Sequence, residues 1–305
     1  MMKKDFLTIR DFSRDEILGT LKLATDMKAH PQNYASTLKG KTLAMIFEKP
    51  SLRTRVTFDV GIHQLGGFSV SLLPMEISLG KRESIHDVAK NLERMVQAIM
   101  IRTFSHQIVV DMARFASIPI INGLTDYSHP CQALADFLTI QEVKGDLRGL
   151  KLCFVGDGNN VAHSLMFTGA RLGTHVTIAC PKGYEPSPVA LQYATEDAKE
   201  TGARIEVVHD PFEGVRDADV IYTDVWASMG QESEVEARKA IFHPFQVNKQ
   251  LMAKAKSGAI FMHCLPAHRG DEVTDEVVDS AISVVFQEAE NRLHAQKAVM
   301  YQLMK

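Results

Sequence analysis

Apolar runs of strand length alternate with helix-patterned segments along almost all of the 305 residues, and this alternation restricts the fold more than any single motif. KTLAMIF, FSVSLL, QAIMIRTF and IPIING mark strands in the first half, and KLCFVGDG, HVTIACP, RIEVVH, DVIYTDVW and AIFMHCLP mark them in the second. Helical patterns lie between them. In SIHDVAKNLERMV, Ser84 and Asp87 stand at capping-box spacing ahead of the apolar positions. Such alternation builds parallel sheets, because two parallel neighbours are joined by a crossover long enough to hold a helix. The expectation is an α/β protein with two parallel-sheet α/β domains joined by interdomain helices, the active site lying in the cleft between them. HPCQALADFLTIQEVKG is the linking helix, and the polar stretch GDLRG divides residues 1–146 from residues 147–305. A long amphipathic helix closes the chain over about 286–305, and its pattern leaves open whether it packs back on the first domain.

Composition removes several function classes. The formal net charge of −3 provides no basic footprint for nucleic acid. No apolar run is long enough to span a bilayer, and MMKKDFLTIRDF lacks both a signal-peptide core and the character of a transit peptide. Four cysteines, Cys131, Cys153, Cys180 and Cys264, show neither zinc-site nor redox-motif spacing. Free thiols in a reducing cytoplasm are expected, with no membrane partner.

Unusual polar residues cluster where strands end, which is where parallel α/β sheets bind ligands. Ser51, Leu52, Arg53, Thr54 and Arg55 follow the first strand at a strand-to-helix turn, where free N–H groups and the helix dipole favour an anion. A plain Ser N-cap with solvated arginines is the bland alternative. Arg102 sits within the apolar run AIMIRTF, where burial is costly unless an anion pairs with it. His129 and Gln132, one helical turn apart, either simply open a helix with Pro130 or polarise a carbonyl oxygen. GDGNN raises a dinucleotide site, but Val161 replaces the third glycine and the next strand ends Ala179-Cys180-Pro181 without an acid. Asn159 and Asn160 suit a small carboxylate or amine instead. Cys264 reads as inert packing, as an acyl-transfer nucleophile, or as a thiol that hydrogen-bonds a substrate amine.

Taken together the motifs resemble the transcarbamoylases, and within them the ornithine-specific branch, from Glu48 to about Gln302. EKPSLRTR is similar to the family's carbamoyl-phosphate loop, with Leu52 in place of the usual threonine. HPCQALADFLTI, DVWASMGQE and HCLPAHRG resemble three further family motifs, and Arg292 in EAENR falls at a family position. The resemblance implies transfer of a carbamoyl group from carbamoyl phosphate to L-ornithine, giving citrulline and phosphate without metal or organic cofactor. It implies that Ser51, Leu52 (main chain), Arg53, Thr54 and Arg102 bind phosphate, and that Thr54, Arg102, His129 and Gln132 face the carbamoyl group. Asn160, Asp224, Ser228 and Met229 would hold ornithine. Asp224 and Cys264 would orient its δ-amine, with Leu265 contributing its carbonyl and Arg292 the carbamoyl end. Arg102, His129, Asp224 and Cys264 are the expected catalytic set. A homotrimer is implied, with the loop Met75 to Ser84 reaching a neighbour, although Ser78 stands where some relatives carry an amide. Another acceptor (putrescine, lysine or an acylated ornithine) and a non-catalytic anion or amino-acid binder are the competing readings.

Overall fold

The structure is a computed structural model, and it describes residues 4–77, 79–228, 230 and 232–305. The chain forms two compact units, Met1–Leu138 with Glu290–Lys305, and Thr139–Ala289. It changes unit within the helix Pro130–Lys144 and again within the helix Val285–Met304. Where the sequence suggests one cut after residue 146, the first unit thus also takes in residues 290–305.

The first unit is built on β1 (Thr42–Phe47), β2 (Phe68–Leu72), β3 (Ala98–Arg102) and β4 (Ile120–Leu124). All pair in parallel, in the order β2-β1-β3-β4. β3 is buried along its whole length, as a central parallel strand covered on both faces must be. Edge strand β2 is wetter, and Phe68 and Val70 are exposed. Residues 290–305 pack on the helix Leu52–Gln64 through Gly61, where a Cβ would come within 2.9 Å of Met300 Cε. Lys297 reinforces the contact by donating to Gln64 Oε1 at 2.9 Å.

The second unit carries β5 (Lys151–Val155), β6 (His175–Ala179), β7 (Ile205–Val208), β8 (Val220–Thr223) and β9 (Ile260–His263). They form one parallel sheet in the order β7-β6-β5-β8-β9. Its core joins Cys153, Val155, Ile221 and Phe261 to Val215, Val247, Leu251 and Val277. At the capping-box signal, Ser84 accepts from Asp87 N–H at 3.0 Å, but the Asp87 carboxylate bonds His86 rather than returning to the cap.

Each sheet reverses its winding direction once, between β1 and β3 in the first unit and between β5 and β8 in the second. A crevice opens beyond the carboxyl ends at such a switch point. The glycines of GDGNN shape the loop after β5. Gly156 has φ 143°, and a Cβ on Gly158 would lie 2.2 Å from Pro186 N and 2.5 Å from Glu185 C. Backbone cannot give way as a flexible side-chain tip can, so these glycines serve a close approach within the fold. We expect Gly158→Ala to destabilise the protein by about 1–3 kcal/mol, the usual cost of overpacking. Urea unfolding measures this, and a wild-type midpoint would contradict the close approach.

Candidate active site

In the first unit the polar residues gather at the switch point. Ser51, extended at φ −162°, caps the helix Leu52–Gln64 by accepting from Thr54 N–H at 3.1 Å. Leu52 is 73 % exposed, so what it offers this helix end is main chain. The neighbouring strand ends are laced together: Glu48 N–H donates to Arg102 O at 2.8 Å, and the Thr103 hydroxyl donates to the Glu48 carboxylate. Register between β3 and β4 shifts between Ile101 and Arg102, an irregularity that re-aims the following side chain. Lys49, buried, pairs with Asp126 and lies 4.2 Å over the Phe104 ring.

His129 is buried just before the helix Pro130–Lys144. Desolvation first, then the charges of Arg292, Arg102 and Arg53, hold its pKa well below the usual imidazole value. The ring is therefore neutral and can donate a hydrogen bond without adding charge. Gln132 is fixed from both sides of its amide: Arg292 Nη1 donates to Oε1 at 2.6 Å, and Nε2 donates to Asp136 Oδ1 at 2.7 Å. Arg292 Nη2 donates to Thr54 Oγ1 at 3.1 Å. One buried guanidinium thus joins the two helices that carry the Ser-Leu-Arg-Thr and His-Pro-Cys-Gln segments.

The second unit gathers a different chemistry. Asn159, rather than Asn160, caps the helix Asn160–Leu172, its Oδ1 accepting from Val161 and Ala162 N–H at 2.9 and 3.2 Å. The same side chain donates through Nδ2 to Asp224 Oδ2 at 2.9 Å. Asp224 is buried after β8, and its other oxygen accepts from Val225 N–H at 2.8 Å and from the Cys264 thiol at 3.1 Å. Burial pushes Cys131, Cys153 and Cys180 up to about 12, whereas Cys264 is only partly buried. It is the thiol with chemistry open to it.

His263 holds the turn that presents Cys264. Its Nδ1 accepts from Leu265 N–H at 2.8 Å, which leaves the ring proton on Nε2, facing Glu272 Oε1 at 3.0 Å. Leu265 takes a left-handed φ of 57° there. Asp224, His263 and Cys264 bring one potential metal-ligand atom each within 4.8 Å of one another. Both ring nitrogens of His263 are already bonded within the protein, so the set fits hydrogen bonding better than ligation.

The structure brings Ser51, Thr54, Arg102, His129, Gln132 and Arg292 to one end of the first unit and Asp224, Cys264 and Leu265 to one end of the second. Asn160 begins its helix, and its carbonyl accepts from Ser164 Oγ at 2.8 Å; Ser228 lies on the loop after β8. Met229 and Ser78 lie outside the described residues. The sequence motifs include Asp157, within GDGNN, but single out none of Lys49, Asp136, Arg238 and Glu272. Only Lys49 carried a readable signal, being a lysine inside the anion-loop motif itself.

The chain thus carries two switch-point sites of different chemistry, one cationic and one built on a carboxylate and a thiol. Residues 4–142 match the "Aspartate/ornithine carbamoyltransferase, carbamoyl-P binding domain", and residues 148–303 match the "Asp/Orn binding domain" of the same family. The chain belongs to the aspartate/ornithine carbamoyltransferase family. It is 57% identical over 303 residues to an ornithine carbamoyltransferase of Thermococcus kodakarensis, covering 99% of this chain and 96% of that protein. The solved ornithine carbamoyltransferase of Pyrococcus furiosus has a TM-score of 0.96 at 53% identity, covering 99% of this chain and 97% of that one. A solved N-acetyl-L-ornithine transcarbamylase variant stands at TM-score 0.89 and 34% identity, covering 98% of this chain and 99% of that one.

The neutral His129 has a consequence for stability. Below about pH 6.5 the unfolded chain protonates this imidazole and the folded one does not. Its contribution is fully present above that pH and is lost as pH falls toward the depressed folded value, by up to about 1.4 kcal/mol per pH unit. His129→Gln should flatten the decline of urea-derived stability between about pH 6.5 and 5. An unchanged slope would mean that the folded protein protonates His129.

Proposed function

We propose that this protein transfers the carbamoyl group of carbamoyl phosphate to the δ-amine of L-ornithine, giving L-citrulline and phosphate. One observation carries the reading: Arg53, Arg102 and Arg292 act together on a buried neutral His129 at one switch point, while Asp224 and Cys264 are hydrogen-bonded at the other. The first set suits a phosphate attached to a carbonyl, and the second suits an amino-acid amine. Relatives named ornithine carbamoyltransferase at 57% and 54% identity support the choice of acceptor.

On this reading the first unit, Met1–Leu138 with Glu290–Lys305, binds carbamoyl phosphate, and the second, Thr139–Ala289, binds ornithine. Ser51, the main chain of Leu52, Arg53, Thr54 and Arg102 grip the phosphate through helix-end N–H groups and charge-assisted bonds. His129 and Gln132, with Thr54 and Arg102, draw charge onto the carbamoyl oxygen as the tetrahedral centre forms. Arg292 acts from behind, since its bonds to Gln132 and Thr54 set how those two groups face the substrate. Asn160, Asp224, Ser228 and Met229 hold the α-amino and α-carboxylate groups, and Asp224, Cys264 and the Leu265 carbonyl orient the δ-amine. That amine must be neutral to attack, and desolvation favours the neutral form. The new C–N bond forms, the phosphate departs with the electrons of the C–O bond, and the proton that the amine nitrogen sheds ends on the departing phosphate. Carbamoyl phosphate is already an activated mixed anhydride, so positioning and electrostatics suffice without a cofactor.

Self-association completes the proposal. Leu52, Val56 and Val60 lie four residues apart on one helix and are 73 %, 48 % and 39 % exposed, and Phe68 and Val70 on edge strand β2 are 60 % and 47 % exposed. So much exposed apolar surface marks an interaction face, and we assign it to further copies of this chain. Light scattering should report a homotrimer, and a fully active monomer at assay concentration would contradict the assignment. No helix among the described residues is long and apolar enough to cross a membrane; together with the free cysteines this supports a reducing, cytoplasmic setting.

Citrulline formation tests the reaction, and acceptor competition tests the substrate. Putrescine offers the same reactive amine but leaves the groups that bind the amino-acid end unpaired. Loss of required polar partners discriminates by roughly 10⁴-fold or more. Allowing for residual water, kcat/KM for L-ornithine should exceed that for putrescine by at least about a thousandfold. Equal rates would sink the ornithine assignment and leave carbamoyl transfer standing. Preference for an acylated ornithine would move the protein toward its 34%-identical relative.

A further inference from the structure

One buried arginine outside the substrate-facing residues ties the acceptor loop at three points. Arg238, on the helix Val235–Phe242, has a side chain 9 % exposed. Its Nη1 donates to Asp157 Oδ2 at 2.8 Å and to the Trp226 carbonyl at 2.9 Å, and its Nε donates to Glu234 Oε2 at 2.8 Å. The guanidinium also lies 5.1 Å over the Tyr184 ring and 6.0 Å from that of Phe242, on which Trp226 stacks at 6.1 Å. Trp226 stands where the loop leaves β8, Glu234 where it enters the next helix, and Asp157 on the loop after β5. We infer that Arg238 is the positioning residue of the ornithine loop: it ties Trp226 and Glu234 to Asp157, on the loop that carries Asn159, and thereby sets Asp224 and Ser228. This rests on the ornithine reading above.

Two physical points separate the role from ordinary packing. Burial first, with a smaller push from the nearby Asp224, holds the Asp157 carboxyl above its usual range, and the charge and hydrogen bond of Arg238 oppose that rise. Removing the guanidinium therefore disturbs the field at Asp224 as well as the loop path. The three acceptors also lie in different directions around one planar fork that is stacked on aromatic rings. A lysine places one compact ammonium there and satisfies only part of the set.

The test uses the full-length protein with R238K and D157N. Loss of a charge-assisted bond corresponds to roughly a tenfold to hundredfold change, so R238K should raise the KM for ornithine by about that factor. The KM for carbamoyl phosphate should stay near wild type. Trp226 is the only tryptophan and is 4 % exposed, so its emission should shift to the red in R238K as water reaches the ring. D157N, which keeps an oxygen acceptor, should move the ornithine KM in the same direction by less, and it carries the test if R238K fails to fold. An unchanged ornithine KM in the folded variants, or equal rises in both KM values, overturns the inference. A wild type that makes no citrulline overturns the functional reading and this inference with it. A wild type that makes citrulline beside an unaltered R238K overturns the positioning role alone.

Discussion

Parallel pairing obliges the strands of a sheet to end at one edge, and the placement of the site depends on that constraint. Hairpins cannot connect such strands, so each crossover helix returns the chain to the starting edge and each strand delivers its C-terminal loop to the other. With nine strands in two parallel sheets among the described residues, every candidate polar group arrives by this route, apart from Arg292 on the final helix. The switch points then select among the loops. β1 and β3 bring Ser51 and Arg102 to one crevice, and β5 and β8 bring Asn159 and Asp224 to the other. Strands buried on both faces hold these loops at fixed spacing, which a site built on loops alone would lack.

Charge is arranged within this frame so that each unit solves a different desolvation problem. Burying Arg102 and Arg292 is expensive in the absence of favourable partners, and the fold moderates the cost locally. Arg292 donates to two neutral oxygens, on Gln132 and Thr54. Neutral acceptors do not offset its charge, and burial first, then the charges of Arg292, Arg102 and Arg53, hold the His129 pKa low. A carboxylate in their place would cancel the field that an incoming phosphate needs. The second unit works in the opposite sense. Asp224 collects donors from Asn159, Val225 and Cys264, so its negative charge is held in place while remaining available to an amine.

Much of the frame was legible in the chain, because strand periodicity and strand-end polarity are local properties. Eight of the nine apolar runs contain their strands, and IPIING falls one residue short of the end of Ile120–Leu124; the cap at Ser51 follows from a side chain and an N–H three residues apart. What the sequence concealed are partnerships across long separations. Asn159 and Asn160 are adjacent and chemically identical, and only the turn geometry shows that Asn159 both caps the helix and reaches Asp224. Arg238 lies 81 residues from Asp157, on an amphipathic helix where an arginine reads as a solvated face. Glu272 similarly looks like a surface acid in DEVTDEV, yet it is fully buried against His263. The fixed orientation of Gln132 was equally hidden, since Arg292 is 160 residues away.

The three readings of Cys264 that the sequence left open can now be weighed by proton accounting. A nucleophilic cysteine needs a base to take its proton, and the adjacent histidine is the obvious candidate. His263 is not placed for it. Nδ1 accepts the Leu265 N–H and Nε2 faces Glu272, so both nitrogens are committed to holding the turn. The thiol instead donates to Asp224 Oδ1, which also receives the Val225 N–H, while the other oxygen of that carboxylate receives the Asn159 amide. Nor does Cys264 resemble the inert thiols, since burial raises Cys131 and Cys153 to about 12 while Cys264 stays within reach of solvent. What remains is a polar, neutral, partly exposed group aligned by Asp224 at the end of the last strand. Sulfur in that setting offers a weak acceptor face to an amine N–H without adding a charge that would hold the amine protonated. Orienting the nucleophile, rather than becoming one, is the role this geometry favours.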